Sequence, residues 1–168
     1  MSLPSSFTPL HLPPQEPGCS ARSTRQSLKK RICQNLPFHK LSPFETVRDQ
    51  YADWGVQFEG AIALFPSNPS FYSRVPRLVL MPTTERRSIT LTLKKPLSRI
   101  VFCVRGYYDI RLSALDSTGH CITHCKTFRY RYGERHKAPL EQLTVDGRNI
   151  ASLILESSAP FILESLSL

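Results

Sequence analysis

The chain has 168 residues, 40% of them hydrophobic, and a formal net charge of +9, which allows one domain with a real core plus appendages rather than two full domains. No apolar run reaches the roughly 18 residues of a membrane span, and the N-terminus lacks the charged start and apolar stretch of a secretory signal. These absences point to a cytoplasmic or other intracellular protein, although the Ser-, Arg- and Pro-rich start also fits an organellar transit peptide.

Residues 1–43 hold seven of the fourteen prolines and six Lys/Arg against the single Glu16. Pro4, Pro9, Pro13, Pro14 and Pro17 forbid regular structure over the first twenty positions, so residues 1–41 read as a flexible basic arm. Within it, 23–36 has a capping box (Ser23, Gln26) and an apolar face of Leu28, Ile32 and Leu36 opposite Lys29, Lys30 and Arg31. A helix this short is marginal alone. It is either a docking element that folds on a partner or a solvated basic linker.

The folded domain is expected to start at residue 42. Ser42 as N-cap, Pro43 at the first helical position and Glu45 as the box acid predict a short helix with Phe44, Val47 and Tyr51 on one face and Gly55 ending it. Trp54, beside Tyr51 and Phe58, is expected in the core. After Gly55 the period changes from helical to two. "VQFEGAIAL" begins the change, and Arg74, Arg77, Arg86 and Arg87 fall in a loop-like region that adds to a basic face. "SITLTL" and "RIVFCV", separated by "KKPLS", predict a hairpin; "YDIRLSAL", the turn "DSTG" and the strand after it predict another. "QLTV", the turn "DGRN", "IASLIL" and "FILESLSL" complete the chain. Short strands with a turn about every ten residues argue for an all-β antiparallel sandwich.

Three stretches carry candidate chemistry. "GHCITHC" (119–125) holds zinc-type ligands, but on a strand His120 and His124 face one side and Cys121 and Cys125 the other, and residues four apart are roughly 13 Å apart. This favours a hairpin strand over a metal site. The five cysteines, odd in number and irregularly spaced, read as reduced thiols, with Cys103 inside an apolar strand. "KTFRYRYGERHK" (126–137) interleaves Phe128, Tyr130 and Tyr132 with Arg129 and Arg131. Alternation sends the rings to the core and the guanidinium groups to solvent, which weakens a nucleic-acid platform. Of the adjacent Tyr107 and Tyr108, one should face outward as a surface contact. No Gly-rich phosphate loop and no nucleophile elbow is present, so the chain is not expected to be an enzyme.

The order of "FETVRDQYADWGVQFEGAIAL", "ITLTLKKPLSRIVFCVRGYYDIRLSALDSTGHCI" and "LTVDGRNIASLILESSAPFILESLSL" resembles the jelly-roll sandwich of galactose-binding-like (discoidin-like) modules. It is similar in particular to the β-sandwich domain of bacterial PEP-CTERM-type proteins, over residues 44–168. Ala114, Asp116 and Gly119 match the "A.D..G" hairpin; Phe161, Leu163, Glu164, Leu166 and Leu168 match the closing strand. The resemblance implies carbohydrate binding and a structural Ca²⁺ with Glu164 as a ligand; Ser165 stands where the pattern has a second acid. Apart from that resemblance, the residues predict a non-catalytic binding or assembly protein. Its arm would meet an acidic protein partner, a membrane surface or, more weakly, nucleic acid through Arg22, Arg25, Lys29, Lys30 and Arg31. Tyr107, Tyr108, Arg129 and Arg131 are further candidate surface contacts.

Overall fold

The structure is a computed structural model that describes residues 35–71, 77–83, 87–128 and 137–168, together with the backbone of residues 19–23. The described chain is all-β. Its strands are β1 (Cys19–Ser23), β2 (Thr46–Val47), β3 (Val56–Glu59), β4 (Ala61–Leu64), β5 (Val79–Pro82), β6 (Ser88–Gly106), β7 (Ile110–Leu115), β8 (Cys121–Lys126), β9 (Leu140–Ser157) and β10 (Phe161–Ser167). They form an antiparallel sheet in the order β2-β4-β5-β10-β6-β9-β7-β8, with β1 added to β9 and β3 to β6. The only helical segments among the described residues are three-residue 3-10 turns at Phe38–Lys40, Ala52–Trp54 and Pro69–Phe71.

Two long strands organise the sheet. Residues 88–92 of β6 pair with 152–156 of β9, and residues 99–105 pair with 140–146, with register shifts between the two stretches. One half of this ribbon continues into β3, β7 and β8, and the other into β10, β5, β4 and β1. In both halves alternate residues are buried: Ile89 and Leu91 in the first, Ile100, Phe102 and Val104 in the second, all at 0% exposure. These side chains belong to one continuous apolar cluster with Leu80, Leu112, Leu143, Leu155 and Leu163. Burial of that cluster is the main favourable term for the fold. A smaller cluster of Phe71, Val79, Tyr107, Ala138 and Ile162 lies apart from it.

Several expectations are corrected. The helix over 42–55 does not form. The capping-box bond is made, with Ser42 N donating to Glu45 Oε2 at 2.8 Å, but Phe44 takes a left-handed φ of 65°, which ends helix propagation. Phe44 N then donates to Ala63 O, Ala63 N donates to Glu45 O, and Thr46–Val47 pairs as a strand. Sheet pairing has outcompeted a local helix signal, because β4 offers partners that a solvated helix turn lacks. Of the expected helix face, Val47 and Tyr51 are buried and Phe44 is 77% exposed.

"SITLTL" and "RIVFCV" are not a hairpin but one strand, β6; "QLTV" and "IASLIL" are likewise joined in β9. The turn-like "KKPLS" and "DGRN" lie at the register shifts, where residues 93–96 of β6 face a single residue of β9 and residues 147–149 of β9 face Ser98. Asn149 takes a φ of 61° there. Turn chemistry has been used for a paired irregularity inside a ribbon rather than for a chain reversal. The packed chain also begins earlier than residue 42: Leu36, Phe38 and Leu41 are core residues, and Asn35 bridges to Ser167. Strand β1 lies within the expected arm. The helix expected at 23–36 falls mostly outside the described residues.

Candidate functional site

The hairpin carrying "GHCITHC" forms as expected. Strand β7 pairs with β8, and Asp116 Oδ1 accepts from Thr118 N, Thr118 Oγ1 and His120 N. These bonds, the Thr118 hydroxyl first, hold the Asp116 carboxyl below its usual range. Gly119 closes the turn at φ 85°. An extra residue at Ile122, between the pairs Ala114–Thr123 and Leu115–Cys121, breaks the alternation. Cys121 is therefore exposed and Cys125 buried, instead of sharing a face. Among the described residues no group of three His, Cys, Asp or Glu is placed to hold a metal ion.

Glu164 is the extra residue at the register shift of β10. Its Oε1 accepts from Arg105 Nε at 2.6 Å, with both side chains largely buried, and Arg105 Nη1 donates to Ala138 O. The carboxylate proposed for calcium thus has a cation as its neighbour. Tyr107 is buried and Tyr108 exposed, one ring inward and one outward as expected, although both lie in the bend between β6 and β7 rather than on a strand. Phe128, expected to cover the core, is exposed, while its N–H donates to the buried Glu141 carboxylate at 3.1 Å. Arg129 and Arg131 lie outside the described residues, as do Arg25, Lys29, Lys30 and Arg31; of Arg22 only the backbone, paired with Gln142, is described.

A site that residue patterning missed is built by the segment between Pro37 and Trp54. Trp54, assigned to the core from sequence, is 40% exposed. It sits at the end of the 3-10 turn that Gly55 terminates at φ 77°. Together with Pro37, Lys40, Leu41, Glu45, Gln50 and Tyr51 it lines a cavity of about 210 Å³. Tyr51 anchors the floor: it packs edge-to-face on Phe38 and Phe58, with centroids 5.9 and 5.8 Å away, and its hydroxyl donates to Pro37 O at 3.2 Å. Burial, then the nearby Glu45 charge, push the Tyr51 phenol well above its usual value, so it stays a neutral donor.

The polar wall is held in place before any ligand arrives. Gln50 Nε2 donates to Glu45 Oε1 and Thr46 O, and Gln50 Oε1 accepts from Arg48 N. The Ser42 N–H, and then the Gln50 amide, keep the Glu45 carboxyl below its ordinary value. An ionised carboxylate has about four acceptor positions. Two are used by Ser42 and Gln50, leaving acceptor capacity for hydroxyl groups beside the Trp54 ring.

No family model matches the chain, and no curated protein matches it in sequence. Among solved structures it is similar to a family 29 carbohydrate-binding module from Piromyces equi, at 13% identity over 67% of this chain and 79% of that one, with a TM-score of 0.39. It is also similar to the enzymatically active domain of tailspike protein 4 of bacteriophage CBA120, at 9% identity over 74% of this chain and 20% of that one, with a TM-score of 0.30. Likeness this distant assigns no ligand, and the case for one rests on the cleft's own chemistry.

Proposed function

We propose that the chain is a jelly-roll β-sandwich acting as a non-catalytic carbohydrate-binding module, with the Trp54 cleft as its sugar site. The observation that carries this reading is an exposed indole beside a preorganised, charged acceptor. The C–H groups of a pyranose ring carry partial positive charge and suit the negative face of an aromatic ring. The sugar hydroxyls then donate to Glu45 and accept from Lys40. A cavity of about 210 Å³ is smaller than the roughly 300–1,000 Å³ of enclosed small-molecule sites. It suits one ring of a longer glycan lying along the surface. Among the described lining residues Glu45 is the single acid, which supports binding over hydrolysis.

The test is retardation of the protein in gels containing soluble polysaccharides, with release of reducing ends measured in parallel. Retardation by at least one glycan, its loss in Trp54→Ala, and no released sugar are expected. Equal retardation of the variant, or none of either protein, overturns the site; glycan cleavage overturns the non-catalytic reading. Because Trp54 is 40% exposed and otherwise covered, its replacement is expected to lower the unfolding midpoint modestly without unfolding the chain.

The basic arm is proposed as a second contact, for an acidic partner. Its support is the charge imbalance of residues 1–43, six Lys/Arg against one Glu, which attracts anions irrespective of arm conformation.

A further inference from the structure

A larger and chemically different cleft lies where four strands end together. Register places Ser88, Glu156, Arg111 and Lys126 in one row across β6, β9, β7 and β8. The adjacent row, Ile89, Leu155, Leu112 and Cys125, is buried in the core, so the pleat turns the charged row to the opposite face. Arg87 and Asp109 flank this row, and Ser157 and Ser158 follow it. Together they bound a cavity of about 500 Å³, within the range of small-molecule sites.

The charges in this cleft are poorly matched to one another. Lys126 Nζ stands 3.8 Å from Asp109 Oδ2 and Arg111 Nη1 stands 3.9 Å from Glu156 Oε1, beyond hydrogen-bond distance. Both cations therefore keep donors available. Arg87 Nη1 donates to Ser158 O, which fixes the third cation at the rim. Among the described residues, three cations face two carboxylates in this cleft, an excess of one positive charge. Asp109 Oδ1 is buried with no hydrogen-bond partner among the described residues, while the rest of its half-exposed side chain faces the cleft. The χ2 torsion of aspartate is soft, so a donor entering the cleft can draw that oxygen out and satisfy it.

We propose that this cleft is a second binding site, for a sugar unit bearing an anionic group such as a uronate. The carboxylate meets Arg111 and Lys126, and a ring hydroxyl donates to Asp109. The excess positive charge selects the anion, while the unpartnered carboxylate oxygen and the size of the cavity select a hydroxylated ring over a bare ion. This assignment does not depend on the Trp54 cleft.

The test is a titration of the full chain with glucuronate, glucose and inorganic sulfate, followed by amide and side-chain NMR shifts. Glucuronate is expected to shift Asp109, Arg111, Lys126 and Glu156 and to bind roughly tenfold more tightly than glucose, the worth of one charge-assisted contact. Arg111→Ala and Lys126→Ala should each remove that preference, and Asp109→Ala should weaken both sugars. Trp54→Ala should leave these shifts unchanged, which separates this site from the first. Sulfate binding as tightly as glucuronate overturns the sugar assignment. Equal binding of glucose and glucuronate overturns the anionic one. Shifts confined to the Trp54 cleft, or no binding of any probe, overturn the site itself.

Discussion

At the scale of single residues, Glu45 connects local structure to the proposed function. Its carboxylate accepts from Ser42 N and Gln50 Nε2, bonds that favour the charged form and hold the carboxyl below its ordinary value in the folded state. A depressed carboxylate stabilises the folded loop above its unfolded pKa, and this support is lost as pH falls through the folded value. Glycan retention and the emission of the single Trp are therefore expected to stay constant at neutral pH and to change together only under acid conditions, below the ordinary range of a glutamate carboxyl. Glu45→Gln should weaken binding at neutral pH and abolish that acid transition. An unchanged acid transition in the variant would show that another group controls it. The residue was legible in the sequence as half of a capping box, but its role as a ligand acceptor was not. Whether a capping box caps a helix depends on the conformation of residue 44, which the distant strand β4 decides.

At the scale of elements, two turn glycines allow conformation and crowding to be separated. Gly60 joins β3 to β4 at φ 78°, and a Cβ there would lie 2.7 Å from Ser88 O. Gly119 closes the β7–β8 hairpin at φ 85°, and a Cβ there would meet nothing within 4 Å. Gly119→Ala is expected to cost about 1 kcal/mol from left-handed backbone alone. Gly60→Ala should exceed it by about 1 kcal/mol or more, because the neighbour in the way is backbone. Urea unfolding midpoints of the two variants check the order, and equal losses would remove the crowding argument. The β7–β8 hairpin was readable because "DSTG" carries its own bonds: Asp116 satisfies three donors within four residues. "KKPLS" and "DGRN" have similar composition yet sit inside β6 and β9, since each is the other's partner across the ribbon. Sequence-local chemistry does not contain that pairing.

At the scale of the whole molecule, charge and fold are separable. The buried cluster draws on Leu36, Phe38 and Leu41, so the packed structure includes residues before 42, and β1 lends its backbone to β9. Replacing Arg25, Lys29, Lys30 and Arg31 with Ala alters none of those core or β1 residues and removes four positive charges of the net +9. The variant is expected to keep the wild-type unfolding midpoint and glycan retention but to lose acidic partners in co-purification. The surviving interaction of the wild type should weaken with added salt, as contacts between exposed charges do. An identical partner set for the two proteins would exclude a docking role for the arm.

The amino-acid sequence alone determined that the described chain is mainly β with alternating core and solvent faces, because strand periodicity and turn composition are properties of neighbouring residues; the helix it also predicted over 42–55 does not form. It also determined the β7–β8 hairpin and the separation of Tyr107 from Tyr108. The tertiary structure decided what depends on residues far apart in the chain: the joining of four expected strands into β6 and β9, and the conversion of a helix start into a loop. It brought Trp54 out of the core onto the rim of a polar cleft. It also set Arg111, Lys126, Asp109 and Glu156 around one cavity. The four-strand cleft exists because sheet register aligns segments that share no local signal, whereas the Trp54 cleft is a local loop whose shape was decided by its pairing to β4.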